Sequence, residues 1–219
     1  FDYRPHPFSS GALEVWYWSQ DRQDLERVRG DGWVSFLEGD NPSYPERAIE
    51  QDLERLRQKL ERMRADTTTP DTRLSDDMNG INPATTESLT RLMLGGLPTG
   101  RSCHALHSRL RYFDADRRRA GLPEDIGALV EKLGDDEVTV SLVNASPVYE
   151  RTVVVQGGAY AEHRLDRVTL GESAAEVTEA YGADHSAFSV RLAPGCGAQL
   201  KIALKRYANP PTFAFPWDR

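Results

Sequence analysis

The sequence lacks the short motifs that mark the common nucleotide-binding and hydrolytic folds: it has no GxGxxG, no GxxxxGK followed by Ser or Thr, no HExxH and no GxSxG. Nucleotide binding, zinc-protease chemistry and an α/β-hydrolase nucleophile each lose their usual anchor. Long apolar runs are missing too. None approaches the roughly 18 to 20 residues needed to cross a bilayer, so no membrane span is expected. Lysine occurs only at positions 59, 132, 201 and 205, and acidic residues outnumber basic ones by 34 to 27. A net charge of −7 argues against a nucleic-acid partner held by phosphate neutralisation. The arginine-rich run from Arg109 to Arg119 alternates with Tyr112, Phe113, Asp114 and Asp116, and reads as a strand edge and a solvated turn.

Cysteine is scarce as well. Cys103 and Cys196 belong to no CxxC pair and allow at most one disulfide, with free thiols the default. Cys103, His104 and His107 are residue types that bind zinc, but no second ligand pair follows at a finger-like spacing, so neither a metal nor another cofactor is expected. A chain of 219 residues is long enough to bury a core without either. The first residue is Phe1, with no initiator Met and no signal-like run, which suggests processing or a longer product.

The clearest pattern present is a two-residue alternation. In Glu137–Gln156, Val138, Val140 and Leu142 point one way and Thr139 and Ser141 the other. The pattern returns at Phe188–Leu192 and Leu200–Leu204, around the turn Pro194–Gly197. With strands centred on Leu110, Val153 and Val168, at least six fall within about 100 residues, which predicts an antiparallel β-sandwich over residues 101–219. A Pro-started helical turn is expected from Pro123 to Leu133 and a polar connection over 171–186. The tail, from Tyr207, is Pro-blocked and aromatic and reads as a packed strap.

Residues 1–100 read as helical, which makes the fold class α+β: an N-terminal helical segment followed by an antiparallel β-sandwich. The segment starts with a Pro-stiffened strap, residues 1–8, then a helix from Ser9 or Ser10 through Val28. Trp33 to Leu37 form an apolar patch. From Pro45, Ile49, Leu53, Leu56, Leu60 and Met63 recur at steps of four, three, four and three, an amphipathic helix packed on its own domain or a short coiled coil. Glu87–Leu94 is a shorter helix stopped by Gly95 and Gly96. The domain border is expected at residues 99–108, with the sandwich stable by itself.

Two stretches could hold a ligand. The aperiodic loop 66–83 carries Asp76, Asp77 and Asn79, an oxygen-rich set read either as Asx turns or as a cation or carboxylate site. Trp16 and Trp18, with Tyr17, Trp33 and Phe36, could form a stacking platform for sugar rings or simply core. Trp16 and Trp18 are two apart, so on a helix they face nearly opposite sides.

The run Phe188–Gly195 followed by Leu200–Leu204 resembles the closing hairpin of the accessory β-sandwich that ends many bacterial glycoside hydrolases, and Val138–Asn144 looks like an earlier strand of it. The resemblance spans about residues 137–206. It implies the C-terminal part or small subunit of a larger carbohydrate-processing assembly, with a structural or ligand-positioning role. Catalytic residues in such enzymes lie in a preceding barrel, so none carries over. A self-contained hydrolase with a site between helical segment and sandwich, and a protein-assembly subunit, are the alternatives. The aromatics of strap, first helix and tail point to a protein partner or a second copy as cover.

Overall fold

The computed structural model describes residues 9–72, 85–99, 105–171, 175–181 and 185–219. Among the described residues five α-helices come first: α1 (Ser9–Ser19), α2 (Arg22–Val28), α3 (Gly32–Leu37), α4 (Tyr44–Ala65) and α5 (Glu87–Leu94). The expected helix through Val28 is two helices, because Gln20 takes a left-handed φ of 55° and Asp21 then caps α2 by accepting a hydrogen bond from the Gln23 N–H. Asp31 caps α3 in the same way, its Oδ1 accepting from the N–H groups of Trp33 (2.9 Å) and Val34 (3.2 Å).

A two-residue ribbon, β1 (Gly96–Leu97) with β2 (His107–Ser108), leads into the sandwich. One sheet has five strands in the order β4 (Arg119–Ala120), β3 (Leu110–Asp114), β7 (Arg151–Gly157), β10 (Ala187–Leu192), β9 (Ala175–Tyr181). The other has four: β5 (Ile126–Leu133), β6 (Glu137–Asn144), β11 (Gly197–Lys205), β8 (Arg164–Leu170). Pairing within both is antiparallel, so the chain is an α+β protein with a helical segment leading into a sandwich. Val138, Val140 and Leu142 of one sheet and Val153, Val155 and Val190 of the other are fully buried in a shared core. Each such side chain contributes roughly 1.5 to 3 kcal/mol by leaving water.

Two expectations fail here for physical reasons. Residues 126–133 are strand β5, not helix. A bulge between Val130 and Lys132 shifts the register, so the apolar set Ile126, Val130 and Leu133 loses its two-residue period and mimics a helical one. The polar connection 171–186 contains β9, an edge strand whose Glu176, Val177 and Thr178 are exposed, so its pattern carries no buried face.

The helical segment closes one open side of the sandwich. Its own core, around Trp33, Val34 and Trp16, reaches the sandwich through Leu133. Tyr112 donates to the Met93 carbonyl at 2.7 Å and Tyr17 to the Gly95 carbonyl at 3.0 Å, fixing the end of α5 between β5 and β3. Gly96 permits the close approach, since a Cβ there would lie 2.3 Å from the His107 carbonyl oxygen. The C-terminal strap lies on the outer face of the five-stranded sheet: Trp217 stacks on Phe215 at 5.1 Å, both edge-on to Phe113. Arg219 anchors it by donating to Gln156 Oε1 and Ser186 Oγ.

Candidate functional site

The two tryptophans of α1 part company. Trp16 is 3% exposed and edge-on to Trp33 at 6.1 Å, so its faces are spent on the helical core and it offers no platform. Trp18 is 39% exposed and stacks on Tyr207 with ring centroids 5.3 Å apart and 21° between planes. Tyr207 follows β11, so the pair joins the first helix to the last strand. The candidates Asp76, Asp77 and Asn79, and Cys103, lie outside the described residues.

Arg206 holds this junction together. Its Nη1 donates to the Trp18 carbonyl at 2.6 Å, its Nε to the Asp135 carbonyl at 3.0 Å, and its guanidinium pairs with the Asp135 carboxylate. A cation is favourable at the end of α1, where carbonyls lack helical partners. The result is a shallow depression of about 300 Å³ with Trp18 and Tyr207 on one side and Asp135, Asp136, Lys205 and Arg206 around it. Tyr207 sits at φ 52° and its N–H donates to Nδ1 of His163 at 3.1 Å, while the two rings meet edge-on at 4.8 Å. His107 meets Trp18 edge-on at 4.6 Å.

Behind the depression lies Arg109, which is fully buried. None of its three guanidinium nitrogens has a hydrogen-bond partner among the described residues, and Cζ sits 5.3 Å over the Tyr17 ring. Burial pulls its pKa below the usual arginine range, with the Tyr17 hydroxyl opposing that shift. Burial likewise pushes the Tyr17 phenol up, with Arg109 opposing. His163 is lowered to about 3, by burial first and by the Arg109 charge second. Glu162 is raised by burial, but its Oε2 accepts from the Tyr160 N–H at 2.7 Å, so this carboxylate is tied into its own loop.

His163 gives the protein an acid-sensitive joint. Its folded pKa lies below the unfolded value of about 6.5, so the unfolded chain binds the extra proton; stability is full above pH 6.5 and falls as pH drops toward 3. Between pH 7 and 5 this one group should cost about 2 kcal/mol. Urea melts at both pH values check it. His163→Asn, which keeps an acceptor for the Tyr207 N–H, should flatten the dependence by that amount, and an unchanged slope would assign the acid sensitivity elsewhere.

Residues 28–90 match the model of a domain family of unknown function, DUF8034. That span runs from the end of α2 through α3 and α4 into α5, and it contains none of Trp18, Arg109, His163 or Tyr207. The part similar to DUF8034 therefore supplies none of the residues that line the depression. No curated protein and no solved structure matches. Among the described residues, no group of three or more His, Cys, Asp or Glu side chains could hold a metal ion, and no helix is long and apolar enough to cross a membrane.

Sequence reasoning found Trp18 and passed over its partners. Tyr207 looked like the start of a tail, Arg109 like part of a solvated run, and His163 and Glu162 carried no local pattern. The parity of Trp16 and Trp18 was the one usable signal: it says that one of them faces away from the core.

Proposed function

We propose that this chain is a non-catalytic accessory module of a larger carbohydrate-processing protein, and that it holds a saccharide in the depression beside Trp18 and Tyr207. The observation that carries this reading is the exposed Trp18–Tyr207 stack set among Asp135, Asp136 and Lys205. Aromatic rings favour the C–H faces of a sugar, and carboxylates and an ammonium group beside them suit its hydroxyls. Arg206 is already committed to the Trp18 and Asp135 carbonyls, so it shapes the depression and leaves the hydroxyl contacts to Asp136 and Lys205.

Calorimetric titration with a panel of oligosaccharides tests this. At least one should bind, and Trp18→Ala or Tyr207→Ala should weaken that binding about tenfold, roughly 1.4 kcal/mol. A panel without a binder would sink the proposal. The hydrolase reading would draw on Glu162 and His107 between the modules, but Glu162 is held by its own loop amides. Release of nitrophenol from aryl glycosides that disappears in Glu162→Gln would replace the accessory role by that reading.

A further inference from the structure

Helix α4 is far longer than its contacts require. Its 22 residues span about 33 Å, yet its buried residues are Ala48 and Asp52, both near its start. There Asp52 Oδ2 accepts from the Ser88 N–H and the Ser88 hydroxyl donates to the Ala48 carbonyl, docking α4 on α5. The apolar seam Ile49, Leu53, Leu56, Leu60 and Met63 lies beside this docking line and none of it is buried; Leu53 is 47% and Met63 43% exposed. The seam runs at its N-terminal end into an apolar groove of about 580 Å³ between α4, α5 and β5, lined there by Ile49, Leu89 and Leu129. Alternating steps of four and three are the spacing that a second helix fills with interdigitating side chains.

The charges on α4 say which helix. Residues 44–54 carry Glu46, Glu50, Asp52 and Glu54 against Arg47, a balance of −3. Residues 55–65 carry Arg55, Arg57, Lys59, Arg62 and Arg64 against Glu61, a balance of +4. The helix dipole accounts for charge within the first and last turns, not for whole halves of opposite sign. Pairs within the helix, such as Arg57 with Glu54 at 3.7 Å, are exposed and weak.

We infer that α4 is a self-association element, pairing antiparallel with the α4 of a second copy of this chain. Antiparallel pairing sets the acidic half of each helix against the basic half of the other and closes by a two-fold axis. Parallel pairing sets like halves together and is repelled. The inference stands independently of the saccharide site, which lies at the far end of α1.

Sedimentation of the whole chain at several concentrations and salt levels is the test. The expected result is a dimer of twice 24.6 kDa that dissociates more readily as salt rises. The double variant Leu53→Glu, Met63→Glu should sediment as a monomer whose melting temperature no longer depends on concentration and equals that of the wild type diluted to monomer, since both side chains are exposed in the single copy. Arg57→Glu, Lys59→Glu should also weaken the dimer, with the seam intact. A monomer persisting to about 100 μM would overturn the inference. So would a dimer that survives the seam substitutions, or one that salt tightens.

Discussion

Replacing Arg109 by methionine should stabilise the protein by about 2 kcal/mol, because a buried guanidinium without a hydrogen-bond partner is a desolvation cost that a similar apolar side chain does not carry. The three nitrogens face no acceptor among the described residues, and the Tyr17 ring offers only a cation–π contact at 5.3 Å. A gain in the urea midpoint at constant slope is the expected outcome. The same variant should raise the pKa of His163, since the Arg109 charge is, after burial, the largest cause that depresses it. A loss of more than about 1 kcal/mol would mean that the guanidinium is satisfied after all.

The largest loss should come from Trp33→Ala, about 3 to 5 kcal/mol. Trp33 is fully buried, edge-on to Trp16, and Arg91 Cζ lies 5.8 Å over its ring. Among the described residues its indole N–H has no hydrogen-bond partner, so the loss is one of packing and of the Arg91 contact rather than of a hydrogen bond. Trp33→Phe should therefore cost much less, filling most of the space and removing the unpaired N–H. The effect should reach the site: α1 is held by Trp16 and Tyr17, so loosening this core frees Trp18 from Tyr207. Denaturant melts of both variants, with saccharide binding measured on the surviving fold, check the pair. Equal costs for the two would show that the hydrogen-bond state of the indole matters more than the volume.

What was legible in the sequence is what local periodicity encodes. Val138, Val140 and Leu142 announced their strand because each is buried on one face of a regular ladder. Strand β5 hid because a single bulge broke its alternation, and β9 because an edge strand with exposed side chains has no apolar face to show. The seam of α4 was visible as a repeat, but whether its own domain covers it depends on where α5 and the sheet fall. The site was legible only at Trp18. Tyr207 is 189 residues away in sequence, and Arg109 looks like any surface arginine until the fold buries it beneath both helical segment and sandwich.

The accessory, ligand-holding role is tested most directly by titrating the isotope-labelled chain with the binding oligosaccharide and following the Trp18 indole N–H, assigned through Trp18→Phe. A ligand in the depression predicts shifts at Trp18, Asp135, Asp136, Lys205 and Tyr207, with α4 unmoved. A Trp18 signal that stays fixed while the saccharide binds elsewhere, or stays fixed through the whole panel, would contradict it.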